Sequence, residues 1–257
     1  MATWRRTVVG SIRTNDMRRT VTSVLSLSLA LGVLLPCAHA QEPVSIGHLL
    51  HHVRDDRGDW RQRSTTYVPH EGDMVFFNDH SVKWGILYKI VGSDAPYHVG
   101  LIFKKPDGVC AIAEAGPNDT LTCRVLELSP RLHGWEHTLL IRRCKKTLNA
   151  EQSTEMTNWA MAQDGKRYAL GRLLLQATPV RCRGPLRRGY FGATYTDRDA
   201  YLCAELVIAG GTVGGIFDPQ VHKANTIYPR DVVQDDIHDL SALYHEARVW
   251  LPRSLAP

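Results

Sequence analysis

Five short apolar runs lie between residues 72 and 144, each bounded by turn-forming residues. A chain patterned this way has few choices other than an antiparallel sheet. The runs are "GDMVFFN", "YHVGLIFKK", "GVCAIAEA", "LTCRVLEL" and "HTLLIRRC". Pro106-Asp107-Gly108 joins the second to the third, supplying the fixed φ and the permissive glycine that a tight turn needs. Gly116-Pro117-Asn118-Asp119 and Gly134-Trp135 separate the later runs, so the spacing predicts a meander of about five strands.

The period then changes. In "NAEQSTEMTNWAMAQDGK", Met156, Trp159, Ala160 and Gln163 fall at helical spacing, Asn149 stands where a helix cap would, and Gly165 where the helix would stop. Residues 166 to 198 are irregular. Asp199 then precedes "AYLCAELVIAGG", read as a second helix capped by Asp199 and ended by Gly210 and Gly211. Strands followed by helices give an α+β class, with the sheet packed on the helix that carries Cys203. Upstream, residues 41 to 69 read as an N-terminal extension, where Ile46, Leu49, Leu50 and Val53 are spaced like one face of a short helix. The domain proper is expected over residues 70 to 257.

Residues 1 to 40 stand apart. From Met17, two arginines precede an apolar run from Val21 to Leu35 and then Ala38-His39-Ala40, the pattern of a secretory signal peptide cleaved after Ala40. The run is short for a membrane span. Cys37 invites lipidation, but Pro36 stands where a small residue normally precedes a lipidated cysteine, so a released periplasmic or extracellular protein is expected. Whether the chain starts at Met1 or Met17 stays open. The leader holds five arginines and one aspartate, so its loss takes the formal charge from +5 to +1. A nearly neutral chain makes no case for nucleic-acid binding.

Removing the leader leaves five cysteines, Cys110, Cys123, Cys144, Cys182 and Cys203, in a compartment where disulfides persist. An odd count leaves one over, as an intermolecular partner or a reactive thiol. Cys110 with Cys123 and Cys144 with Cys182 is one pairing that isolates Cys203; four reduced thiols is the other reading. If Asp199 caps its helix, Cys203 lies in the first turn, where free N–H groups and the macrodipole favour a thiolate. The bland reading is a small apolar residue packed beside Leu202, Leu206 and Val207. Against it stands His98, which shares one strand face with Gly100 and Ile102, with Glu114 on the next strand as a carboxylate able to hold the imidazole in one tautomer. Together these make a nucleophile, base and orienter set.

These segments in this order, "GDMVFF", "SDAPYHVGLIF", "AEAG", "YLCAELV" and "IYPRDVV", resemble the permuted papain-like amidases of the YaeF/YiiX type, relatives of the NlpC peptidases and of the lecithin retinol acyltransferase group. The resemblance covers about residues 70 to 235. It implies an antiparallel sheet on the cysteine helix, Cys203 as nucleophile, His98 as general base, Glu114 as third polar member and Tyr201 as a candidate to steady an oxyanion. Asp73 matches a Gly-Asp pair and takes a structural role. Ala204 and Tyr97 depart from the serines common at those positions. The implied activity is thiol hydrolysis of an amide or ester in cell-wall peptide or lipid-linked acyl material, without a cofactor. An acyltransferase and a non-catalytic envelope-binding module are the alternatives.

Four other features offer themselves as sites. Cys123, His133 and His137 offer a loose zinc spacing, with Gly134 and Trp135 against the helix that would align them. His51 and His52 read as solvent-facing, and "GGTVGG" at 210 to 215 as a turn, since it lacks the lysine of a phosphate loop. Lys166, Arg167, Arg172, Arg181, Arg183, Arg187 and Arg188 are uninterrupted by acids; they suit either a solvated loop or a basic rim for an anionic surface.

Overall fold

Eight strands form one antiparallel sheet in the order β2-β1-β10-β7-β3-β4-β5-β6. They are β1 (Gly47–Arg54), β2 (Trp60–Tyr67), β3 (Met74–Asn78), β4 (His98–Lys104), β5 (Cys110–Ala115), β6 (Cys123–Glu127), β7 (Thr138–Arg142) and β10 (Arg248–Leu251). A two-residue parallel pair, β8 (Arg167–Tyr168) with β9 (Ala200–Tyr201), lies outside it. The helices are α1 (Val82–Ile90), α2 (Leu128–His133), α3 (Ala150–Ala162), α4 (Leu170–Leu175), α5 (Cys203–Val213) and α6 (Pro229–Gln234). The computed structural model describes residues 44–79, 82–116, 120–178, 198–235 and 238–255; the expected signal peptide lies outside the described residues. Gln41–Pro257 is a compact unit of its own.

All five predicted runs are strands, but they are not a simple meander. β3 to β6 follow one another across the sheet, whereas β7 returns to the free edge of β3, with Phe77 opposite Leu139. The cause is α2, which begins as β6 ends and folds back over the sheet. Leu128 and Leu132 bury themselves against the Phe77, Ile102 and Ile112 face and so carry the chain across before β7 starts. β10 and the β1–β2 hairpin then extend the sheet beyond β7, so it runs through the expected boundary at residue 70.

The helix expected around Ile46–Val53 is instead β1. Its spacing fits both periods, and pairing decides: His48 sits opposite Leu251, Leu49 opposite Trp250, and the whole strand pairs with β2. The cue to the hairpin is "DDRGD", where Asp55 accepts the N–H groups of Arg57 and Asp59 and Gly58 takes φ 83°.

Both faces of the sheet are covered, which is why its central strands are apolar throughout. On one face Phe76, Val99, Leu101 and Ala113 meet α5 and α3. On the other, Val75, Phe77, Ile102 and Ile141 meet α2, Tyr67 and Trp250. α3 starts as predicted, with Asn149 and Gln152 each accepting the other's backbone N–H.

Gly210 and Gly211 do not end α5; they lie inside it, and the predicted turn at 210 to 215 is mostly helix. A Cβ on Gly210 would stand 2.7 Å from Leu101 and 2.8 Å from the Trp159 ring, so this glycine lets the helix lie close on β4 and α3. Gly210→Ala gains about 1 kcal/mol of helix propensity and loses about 1–3 kcal/mol to overpacking. A net loss of about 1 kcal/mol is the expected urea-unfolding result.

Asp73 has the structural role read for it. Fully buried, it accepts hydrogen bonds from Tyr67 Oη (2.9 Å) and the backbone N–H groups of His70 (3.0 Å) and Cys144 (2.7 Å). Burial pushes its pKa up to about 6 against those bonds.

Candidate active site

The start of α5 sets the position of Cys203. Leu202, not Asp199, is the N-cap, because β9 intervenes and holds the Asp199 carbonyl on the Arg167 N–H. Cys203 is thus the first helical residue. Leucine has no oxygen to cap with, and the cap comes from three residues on: Glu205 accepts the Leu202 N–H at 3.0 Å. Glu205 is 1 % exposed and is gripped by the guanidinium groups of Arg172 and Arg198. Asp231 repeats the device at α6, accepting the Tyr228 N–H at 2.8 Å.

His98 opens β4. It sits opposite Phe77, and the β4–β5 register puts Gly100 opposite Glu114, so His98 and Glu114 are diagonal neighbours on one face. His98 Nε2 lies 3.2 Å from Glu114 Oε2, with both side chains at most 4 % exposed. Arg131 on α2 clamps the same carboxylate, Nη2 to Oε1 at 3.0 Å and Nε to Oε2 at 3.3 Å. Its guanidinium lies over the Phe77 ring at 4.8 Å. The Gly100 space is filled from β5: a Cβ there would meet Ile112 at 2.5 Å.

α5 covers the opposite face of the sheet, yet the two sets meet where β4 begins. The Cys203 sulfur is 4.0 Å from the Tyr97 carbonyl, one residue before His98. His98 Nδ1 has no hydrogen-bond partner of good geometry among the described residues, and Cys203 and Glu114 are the two groups that act on the ring. Burial pulls the imidazole pKa down. Hydrogen bonding to Cys203 and Glu114 and the charges of both outweigh it and raise the value to about 9. Burial likewise opposes ionisation of Glu114, but His98 and Arg131 hold its pKa below the ordinary value.

Two phenols feel the charge of Cys203. Tyr88 on α1 donates to the Tyr97 carbonyl at 2.6 Å, and burial and Cys203 both raise its pKa. Tyr168 on β8 is raised by burial and then by Cys203, and its buried hydroxyl has no hydrogen-bond partner among the described residues. Tyr201 is fully buried; its hydroxyl accepts the Arg198 N–H at 3.1 Å and its ring packs edge-on to Trp159.

The fold brings Cys203, His98 and Glu114 to one place. Arg131, Tyr88, Tyr168 and Glu205 were not picked out. Glu205 was findable as an acid three residues after the residue preceding Cys203, a capping spacing. The other three depend on chain crossings that no local pattern encodes.

Cys110 and Cys123 do not face each other. Ala111 pairs with Glu127 and Ala115 with Cys123, so the two thiols sit at opposite ends of the β5–β6 ladder, about 16 Å apart along it and beyond disulfide reach. Both are free, as are Cys144 and Cys203, while Cys182 lies outside the described residues. Burial raises the thiol pKa of Cys110, of Cys144 and of Cys123, the last to about 11. Among the described residues no three His, Cys, Asp or Glu side chains are grouped to hold a metal; His133 Nδ1 is 2.8 Å from the Ser129 carbonyl, within its own helix. Of the basic residues, Arg172 is taken by Glu205 and the Ala200 carbonyl, Lys166 lies over the Tyr201 ring, and Arg167 is exposed. Arg181, Arg183, Arg187 and Arg188 lie outside the described residues.

No family model and no curated protein matches this sequence. Among solved structures, the chain is similar to the metalloprotein YiiX from Escherichia coli O157:H7 (DUF1105), at 19 % identity and a TM-score of 0.38. That likeness covers 57 % of this chain and 66 % of the other, less than two thirds of its length.

Proposed function

We propose that this protein is a thiol hydrolase in which Cys203 attacks an amide or ester carbonyl. The observation that carries the reading is the placement of a cysteine at the first residue of a helix, beside an imidazole whose far nitrogen rests on a buried, arginine-clamped carboxylate. A core cysteine needs none of that apparatus. With a ring pKa of about 9, His98 holds its proton at neutral pH, so it acts first as an acid.

The thiolate forms a bond to the carbonyl carbon, and the π pair moves onto oxygen. Collapse breaks the bond to the leaving amine or alkoxide, which takes the His98 proton. The neutral ring then removes a proton from water as it attacks the thioester, and the acid and free sulfur are regenerated. The developing oxyanion is served by first-turn N–H groups of α5 and by Tyr168, whose hydroxyl has no hydrogen-bond partner among the described residues to give up. Tyr88 suits this less, since it already donates to the Tyr97 carbonyl. Tyr201, the donor that the sequence offers, accepts the Arg198 N–H at its hydroxyl oxygen, a bond that does not engage its own O–H.

Acylation by p-nitrophenyl acetate, followed by intact mass, tests the reading. One acetyl group on Cys203 is expected, absent in Cys203→Ser. Labelling no faster than that of an unfolded cysteine peptide would leave a binding module of the same fold as the better account. Tyr168→Phe is expected to slow acylation about 100-fold while leaving alkylation by iodoacetamide, which develops no oxyanion, unchanged. Transfer of the acyl group to an added amine faster than to water would assign an acyltransferase.

A further inference from the structure

Helix α1 turns its apolar stripe outward. Val82, Ile86 and Ile90 are 75 %, 58 % and 59 % exposed, although they recur every four residues and so lie on one side of the helix, each turned about 40° from the last. The side that packs inward carries Trp84 and Tyr88, the second of which donates to the Tyr97 carbonyl that the Cys203 sulfur also faces. Lys89 flanks the stripe on one edge and Lys83 on the other, both exposed, and the helix holds no acid. The helix that starts two residues after Tyr168 likewise exposes Leu174 (54 %) and Leu175 (51 %). Ordinary surface helices point their isoleucines inward. A stripe of exposed β-branched residues edged by lysines is the pattern of a helix lying in a membrane interface, with stems in the acyl boundary and ammonium groups at the headgroups.

We propose that α1 docks the protein on an anionic lipid surface, with the stripe in the interface and Lys83 and Lys89 on lipid phosphates. The occupant is lipid, not a second copy, by charge: two cations edging a self-associating stripe would meet two more across a twofold axis, whereas an anionic surface neutralises them. At nine residues, α1 is too short to cross a membrane and lies along its surface. The docking does not rest on the thiol hydrolase reading.

The test is co-sedimentation of residues 41 to 257, the unit that is compact by itself, with vesicles of phosphatidylcholine alone or with 30 % phosphatidylglycerol. Cys203→Ser protein is used, so that turnover plays no part. Binding is expected on the anionic vesicles and is expected to weaken at least tenfold in Ile86→Gln/Ile90→Gln. Lys83→Gln/Lys89→Gln is expected to weaken it about 25-fold, at about fivefold per lysine, with no change on neutral vesicles. Circular dichroism of these exposed-site variants confirms that they remain folded. No sedimentation of the parent protein, or equal binding by the isoleucine variant, overturns the proposal. A concentration-dependent dimer that the isoleucine variant dissolves also overturns it and gives the face to a second copy. Failure of Cys203 acylation with vesicle binding intact would remove the hydrolase reading alone.

Discussion

His98→Ala is expected to lower the rate of Cys203 acylation about 1,000-fold, the loss typical of removing a positioned proton donor and acceptor. The same change is expected to slow iodoacetamide alkylation, since it removes the cation beside the attacking sulfur. A merely structural histidine would leave both rates alone in protein that remains folded. The pH profile is a second signature. With the ring pKa at about 9, the wild-type rate is expected to hold through neutrality and fall as pH passes about 9. Stability shares the alkaline limb. A histidine whose pKa rises on folding contributes stability that is complete below about 6.5 and is lost as pH climbs towards 9, here about 3 kcal/mol. Glu114, whose pKa folding lowers, contributes in the opposite sense, and its share is lost on acidification. Urea midpoints measured at several pH values are expected to show the alkaline loss in wild type and not in His98→Ala.

Glu205→Ala is expected to be the most destabilising single change described here, at about 3–5 kcal/mol. It removes the acceptor for the Leu202 N–H and strands two guanidinium groups whose common partner is buried. Arg172 is 38 % exposed at its side chain and can regain water, which favours the lower end of that range. Glu205→Gln keeps a capping oxygen and the side-chain volume but loses the charge, so it is expected to lose roughly half as much. Unfolding curves measure the loss. Cys203 acylation separates frame from chemistry: in Glu205→Gln under conditions where the protein is folded, the rate is expected to fall with helix fraying and not with pH.

The sheet and the site differ in how far the sequence reveals them. The five central strands are legible because each is short, apolar on both faces and bounded by turn chemistry. Their order across the sheet is not, because it depends on where α2 deposits the chain, and six residues of helix carry no label for that. β1 was misread since Ile46, Leu49, Leu50 and Val53 satisfy a helical period while a partner strand two hundred residues away imposes the other. Gly210 and Gly211 were read as a stop because glycine's commonest use is at helix ends; here the absence of a side chain serves contact with Leu101, Trp159 and Phe217. Cys203, His98 and Glu114 were legible through residue type and strand alternation. Arg131 and Tyr168 were not, as an arginine or tyrosine gains meaning only from what the fold sets beside it.

Cys203 is 2 % exposed. Reagents therefore do not collide with its sulfur at the frequency they meet a surface thiol; they wait for the covering side chains to part. Alkylation is then expected to level off at high reagent concentration, at the opening frequency of that cover, and bulky reagents are expected to fall behind small ones by more than their intrinsic reactivities explain. The gate and the chemistry are separable quantities in this protein, and the plateau rate measures the first without reference to any substrate.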